Sequence, residues 1–192
     1  MSSLNKGRIV RGSPPSKQLK RHTCKNALPE LLRDFGDRCA YSMQHWQHGG
    51  LLEVDHFDPR LKKAYIQDYE NLFPASRHCN GKKSNHWPTS TELASGCRFL
   101  NPCKEIDYGS QIFEDPITHE LIGTTPAAKW HIRMCGLNAQ HLVQERAKRT
   151  KHWNKLRTGP ISIEGDPQSA AEFAKGYREL VETMIPEIPS PP

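Results

Sequence analysis

The order of apolar and polar positions predicts short helices and strands separated by polar loops. Apolar residues recur at helical spacing through 24–35, and Gly36 is a typical helix stop. Short apolar runs predict strands at 51–56 and 71–75. A short helix is expected to follow over 76–85 with Ser76 as its cap. This alternation predicts an α+β fold.

The rest of the chain divides into less regular segments. We expect short strands near 99–103 and 112–113, a helix from Asn138 to about residue 156, and a last helix over 168–184. Residues 1–22 have the composition of a flexible basic arm, 23–160 form the main domain with helical flanks, and 161–192 hold an acidic helix and a Pro-rich tail expected to be disordered.

Charge is distributed unevenly over the 192 residues, whose formal net charge is +6. Residues 1–33 and 126–160 each carry eight Lys or Arg and one acid, whereas 161–192 carry two bases and six acids. Two basic blocks are typical of a protein that binds nucleic acid, although solvated helix faces would give the same composition. Because only 35% of the residues are hydrophobic, we expect a small core.

Neither a membrane span nor a secretory signal is expected. The sequence has no apolar run of the length that crosses a bilayer, and no apolar stretch follows the basic N-terminal residues. We therefore expect a cytoplasmic protein without a membrane partner. The six cysteines form no CxxC pair and are expected to be reduced, mostly buried thiols.

Residues whose side chains can bind a metal, act as a base or contact phosphate are concentrated between Glu53 and Lys83. Phosphodiester hydrolysis needs a positive charge on the phosphate oxygens and a base that takes a proton from water. Asp55 and Asn80 offer oxygen ligands for a hard cation, and His56 can act as the base. Asn71 can hold the intervening loop through backbone hydrogen bonds. The basic side chains expected to contact flanking phosphates are Arg77, Lys82 and Lys83.

The stretch 39–85 resembles the HNH endonuclease motif, in the variant that ends in Asn. The resemblance rests on the local sequences LEVDH, ENL and CNGKK, with fifteen residues from His56 to Asn71 and nine from Asn71 to Asn80. It implies a ββα-metal core of two antiparallel strands and a helix, wrapped by flanking helices and loops. It also implies that Asp55 and Asn80 bind Mg²⁺ or Mn²⁺, that His56 is the general base and that Asn71 is structural. Catalysis would then depend on His56, Asn71 and Asn80.

One departure from the family pattern concerns a structural zinc. Many HNH members hold zinc with two CxxC pairs, but here the corresponding positions are Cys39, Ser42, Ser76 and Cys79. Because serine is a poor zinc ligand, we expect no zinc at this place and expect the two thiols to pack together.

The downstream RFLNPC and IFED segments also resemble, more weakly, small HNH proteins of Septu-, retron- and Zorya-type anti-phage systems. This resemblance implies a partner such as an ATPase and a role in defence. The chain is thus expected to be a metal-dependent endonuclease that nicks double-stranded DNA, with Arg146 and Arg149 of the late basic helix on the phosphate backbone. The alternatives are a catalytically silent DNA-binding module and a regulatory subunit of a defence complex.

Overall fold

A computed structural model describes residues 7–158, 175–177 and 179–191, and within them the chain is a mixed α+β protein. It contains two small sheets, each of two antiparallel strands. The helices are α1 (Leu28–Phe35), α2 (Trp46–Gly49), α3 (Arg77–Lys83), α4 (Ser90–Ala94), α5 (Pro126–Met134) and α6 (Gln140–Thr158). The strands are β1 (Leu52–His56), β2 (Leu72–Ser76), β3 (Ile112–Glu114) and β4 (Leu121–Gly123).

The first sheet leads directly into α3. In the antiparallel register of β1 and β2, Asp55 lies opposite Phe73 and His56 opposite Leu72. The chain turns into α3 at Ser76, whose hydroxyl accepts a hydrogen bond from the backbone N–H of Cys79. The strands and the capped helix predicted for this stretch are therefore confirmed to within one or two residues.

Helix α1 covers this sheet on one side. Its buried residues Leu31 and Phe35 belong to two separate apolar clusters, which also contain Leu72 and Phe73 of β2. The helix ends at Gly36, which has a left-handed conformation with φ of 59°. The predicted helix was too long at its start, because residues Cys24–Ala27 form a 3₁₀ turn.

The second sheet packs with α5 and was only partly foreseen. Strand β3 overlaps the strand expected at 112–113, but residues 99–103 form no strand. Helix α5 was not predicted, since its basic composition obscures a face that buries Ala128 and Trp130. Asn138 precedes α6 without capping it. Its side-chain amide instead pairs with the backbone N–H and C=O of Leu121 in β4.

The N-terminal segment differs from the flexible arm expected over 1–22. Residues 1–6 lie outside the described residues, but 7–22 pack against the body of the protein. Arg11 donates to the backbone carbonyls of Tyr69 and Leu72, at 3.2 and 2.7 Å, and Leu19 is buried. This segment is held by hydrogen bonds that its composition does not reveal.

The Pro-rich C-terminal segment also differs from the disorder expected. Ile185 and Ile188 are buried in the main core, and Arg38 and Arg149 donate to the carbonyls of Met184 and Pro186, at 2.9 and 2.6 Å. Of the helix expected over 168–184, residues 175–177 and 179–183 are helical, and 168–174 and 178 lie outside the described residues, as do 161–167 of the acidic stretch.

Two further observations concern the described part of the chain as a whole. None of its helices has both the length and the apolar character needed to cross a bilayer. All six cysteines lie within it and are free thiols, but only Cys39, Cys79 and Cys135 are buried, whereas most of the six were expected to be.

Candidate active site

A polar cavity of about 390 Å³ opens where β1 meets α3. Glu53 and Asp55 are two positions apart in β1, so both side chains point to the face that α3 covers. Asn80 approaches from α3, and Lys62 and Arg77 flank the three oxygen-bearing side chains. The cavity thus joins carboxylate and amide oxygens to positive charge.

Asp55 is buried and held by two donors. Its Oδ2 accepts a hydrogen bond from the Tyr41 hydroxyl at 2.5 Å and lies 2.9 Å from the ammonium of Lys83. Burial and the Asp55 charge raise the pKa of Tyr41 well above its usual value, so this hydroxyl remains a donor. Both contacts involve Oδ2 and fix the direction of the carboxylate at the cavity wall.

His56 follows Asp55 but does not line the cavity, because alternate residues of a strand face opposite ways. Its Nε2 lies 2.7 Å from Oε1 of Gln67, and the Gln67 amide nitrogen donates to the carbonyl of Ala64. That second bond makes Oε1 the acceptor, so Nε2 carries the proton and Nδ1 holds the lone pair.

The pKa of His56 is lowered, chiefly by burial. The hydrogen bond to Gln67 and the charge of Asp55 oppose this effect, whereas Lys62 and Lys83 add to it. His56 is therefore neutral at physiological pH, as a general base must be, and it lies at the edge of the charged cluster around the cavity.

Asn71 has the geometry expected for it. Its Oδ1 accepts from the backbone N–H of Asp58 at 2.8 Å, and its Nδ2 donates to the carbonyl of the same residue at 3.1 Å. The backbone N–H of Phe57 also bonds the carbonyl of Asn71. These bonds close the loop that carries Lys62 and Gln67, so Asn71 acts on the site through its loop.

Asn80 lies at the cavity with its amide nitrogen 2.7 Å from Oε2 of Glu53. Because Nδ2 is used as a donor, Oδ1 is the atom available as a ligand. The structure therefore brings Asp55 and Asn80 to one cavity and adds Glu53, whereas His56 and Asn71 lie beside it.

The basic residues proposed to contact DNA divide into two groups. Arg77 and Lys82 are exposed on α3, and Arg77 lines the cavity. Lys83, Arg146 and Arg149 are only 0%, 1% and 2% exposed, which corrects their proposed role in contacting phosphates.

Each of the three buried cations has partners inside the protein. Lys83 pairs with Asp55 and donates to the carbonyl of His56 at 2.8 Å. Arg146 donates to the carbonyls of His119 and Leu137, at 2.7 and 3.2 Å. Arg149 pairs with Glu114 at 2.6 Å. A sequence pattern cannot reveal such partners, because they come from other parts of the chain.

The positions that correspond to the zinc-binding pairs of HNH proteins form one buried corner. Cys39 and Cys79 are both buried and close enough for each thiol to shift the pKa of the other, as expected for packed thiols. The hydroxyl of Ser76 accepts from the backbone N–H of Cys79 at 3.3 Å, and that of Ser42 accepts from Gln44 N–H at 3.3 Å. Each serine hydroxyl thus accepts a hydrogen bond from a backbone N–H of its own turn.

The donor set of the cavity fits a hard divalent cation that keeps water ligands. Glu53, Asp55 and Asn80 offer only oxygen, and Mg²⁺ commonly uses one or two carboxylates together with water and substrate phosphate. In the described part of the chain, no three His, Cys, Asp or Glu side chains converge as a metal-binding group. A cation here would depend on the two carboxylates, the amide, water and substrate.

Sequence reasoning missed four residues of the site. Glu53 could have been found from its position, since it shares a strand face with Asp55. Tyr41, Lys62 and Gln67 gave no such signal, because they come from loops whose course is set by tertiary contacts.

No family model, curated protein or solved structure matches this chain.

Proposed function

We propose that the protein is a divalent-metal-dependent endonuclease with a ββα-metal core formed by β1, β2 and α3. The observation that carries the proposal is the cavity in which Asp55 and Asn80, the two expected ligands, meet Glu53 between the cations Lys62 and Arg77. A phosphodiester is an anion that needs such positive charge to approach carboxylates.

Each residue has a defined part in the proposed reaction. Lys62 and Arg77 attract and orient the phosphates on either side of the bond that is cut. Asp55, Asn80 and Glu53 provide oxygen ligands for a divalent cation beside the phosphate. A bound Mg²⁺ or Mn²⁺ would neutralise charge on the phosphate oxygens and lower the pKa of a water molecule.

His56 supplies the base. It accepts the proton of the attacking water through Nδ1 while its Nε2–H remains on Gln67. The new bond joins the water oxygen to phosphorus, and the bond from phosphorus to the 3′ oxygen breaks. One such site cuts one strand, so the product expected from a monomer is a nick.

A supercoiled-plasmid assay tests the proposal. Wild-type protein is incubated with Mg²⁺, Mn²⁺ or EDTA beside His56→Ala and Asn80→Ala, with His152→Ala and Asn26→Ala as matched controls outside the cavity. The expected result is open circles that require metal, disappear in the two site variants and persist in the controls. Cutting that survives either site substitution, or that EDTA leaves unchanged, contradicts the proposal.

A second candidate function is a silent DNA-binding module or regulatory subunit. The observation that favours it is the tight engagement of Asp55 by Lys83 and Tyr41, together with the absence of His56 from the lining of the described cavity. DNA binding without cutting under any metal condition would support this candidate over the nuclease.

The weaker resemblance to anti-phage nucleases extends the proposal to a cytoplasmic defence effector that works with a partner such as an ATPase. The exposed basic side chains around the cavity support double-stranded DNA as the substrate.

A further inference from the structure

Two basic segments that are far apart in sequence lie side by side in the structure. Residues 17–25 lie beside the tip of the β1–β2 loop, residues 59–66. Arg21 N–H donates to the Tyr65 carbonyl, and the N–H of Gln67, the residue after the tip, donates to the Leu19 carbonyl, both at 2.9 Å. Lys20 and Ile66 form an antiparallel bridge between them. The N-terminal segment is thereby fixed to the loop.

The surface formed by the two segments is positively charged, because neither segment contributes an acidic residue that would neutralise it. Neither 17–25 nor 59–66 contains an Asp or Glu. The acids elsewhere in the loop are engaged: Asp58 pairs with Arg60, Asp68 caps a 3₁₀ turn, and Glu70 lies 3.6 Å from Arg11. The side chains of Arg21, Lys62 and Lys63 are exposed, and Lys20 is half-buried.

The same surface presents apolar side chains to solvent. Tyr65 is 62% exposed, with the Lys20 ammonium 5.6 Å from its ring, and Leu61 and Ile66 are also exposed. An exposed aromatic ring held beside a cation is not needed in a loop that only connects two strands. A nucleic acid, with phosphates next to apolar sugars and bases, matches both features.

Lys62 connects this surface to the candidate active site. It lines the cavity together with Asp55 and Asn80. A strand whose phosphate enters the cavity would therefore continue over Lys63 and reach Lys20 and Arg21.

We propose that Lys20, Arg21, Lys62 and Lys63 form a phosphate-binding platform, which holds the backbone of duplex DNA beside the cavity while Tyr65 contacts its sugars. The platform rests on the proposed nuclease function and adds to it the surface that positions the substrate. It assigns DNA contact to the N-terminal segment and the β1–β2 loop instead of helix α6.

The test measures duplex DNA binding in EDTA, so that no cutting interferes. The platform variant Lys20→Gln/Arg21→Gln/Lys63→Gln is compared with the matched control Lys129→Gln/Arg133→Gln/Lys148→Gln, which removes three exposed basic residues from α5 and α6. Fluorescence anisotropy gives Kd over a range of salt concentrations. Thermal melting verifies that both variants remain folded, which their exposed or half-buried positions favour.

The platform variant is expected to bind roughly 100-fold more weakly at 0.1 M salt, with the slope of log K against log salt reduced by about 2 to 3, since each phosphate contact contributes about 0.9. The control variant should stay within about twofold of wild type. An unchanged Kd and slope, or an equal loss in the control, overturns the platform.

The plasmid assay separates the two proposals. If wild type cuts DNA and the platform variant binds and cuts as well as wild type, only the platform fails. If wild type binds DNA without cutting it, the nuclease proposal fails and the anisotropy result still decides the platform. If wild type does neither, both fail.

Discussion

The ammonium of Lys83 lies 2.9 Å from Oδ2 of Asp55 and 2.8 Å from the backbone carbonyl of His56. One fully buried cation therefore fixes the side chain of one β1 residue and the backbone of the next. The Phe99 ring lies 5.3 Å from the same nitrogen and closes this side of the pair to water. Lys83 thus positions the proposed ligand and the proposed base together.

Replacing Lys83 with Met is expected to lower the free energy of unfolding by about 3 to 5 kcal/mol, because it leaves the Asp55 carboxylate buried without its cation. Urea unfolding measures the change. The neighbouring exposed Lys82→Met should change the stability by less than about 0.5 kcal/mol. Equal effects of the two substitutions would contradict the role given to Lys83, and adding Asp55→Leu to Lys83→Met should restore part of the loss.

The pKa of His56 is expected to set the pH dependence of cutting, and Gln67 offers a way to move it. The base must be neutral, and burial lowers the pKa of His56 from 6.5, so activity should rise with pH below 6.5 and level off above it. Gln67→Glu places a negative charge beside the Nε2–H of His56 and so favours the protonated imidazole. The rise in activity should therefore move to higher pH, by about one pH unit or more. Single-turnover nicking rates against pH measure the shift.

Gln67→Met is the matched control for that experiment, since it removes the acceptor without adding charge. It should slow nicking without moving the pH profile upward. Nitrogen NMR shifts of His56 provide a second measurement, in which the neutral wild-type ring should carry its proton on Nε2. A proton on Nδ1 would be incompatible with the proposed role of this residue as a base.

Arg149→Ala is expected to destabilise the protein by about 3 to 5 kcal/mol, because Glu114 would lose its buried partner. At a temperature where the variant is folded, its DNA affinity should equal that of wild type, since the side chain is not on the surface. The exposed neighbour Lys148→Ala is the control for stability. Urea unfolding measures the effect on stability, and anisotropy on the same samples measures the effect on DNA affinity. Weaker DNA binding by the folded variant would support the prediction from the sequence that Arg149 contacts the phosphate backbone.

Ile185 is expected to contribute to the core as any buried aliphatic side chain does. Ile185→Ala should lower stability by about 2 to 4 kcal/mol, whereas Ile117→Ala, at an exposed position, should have little effect. Thermal and urea unfolding compare the two variants. If both are neutral, the C-terminal segment is not part of the folded core.

How far the sequence predicts the structure depends on how local the determinants are. Strands β1 and β2 and helix α3 follow from short apolar runs and a serine cap, and Gly36 ends α1 through its own conformation. Asp55, Arg77 and Asn80, the three cavity residues that the sequence assigned to the site, lie on these elements. Arg146 and Arg149 could not be placed, because their carbonyl and carboxylate partners come from β3, the loop before β4 and the C-terminal segment.

The terminal segments could not be predicted for a related reason. Leu19 is an isolated apolar residue in polar sequence, and Ile185 is followed directly by Pro186 in a Pro-rich stretch, so neither position indicates a buried element. Arg11 and Arg38 hold these segments by donating to backbone carbonyls, an interaction that any sequence can accept. Composition therefore indicated disorder where long-range hydrogen bonds impose order.

The bond from Arg38 to the carbonyl of Met184 spans 146 positions and has a consequence for synthesis of the protein. A chain emerging from the ribosome can form α1 and the first sheet early, but it cannot complete the core until Ile188 has left the exit tunnel. If translation stops before that point, the product keeps Arg38 and Arg149 without their C-terminal carbonyl partners and exposes apolar surface to proteases. Incomplete copies are therefore expected to be less stable and more sensitive to protease than the full chain.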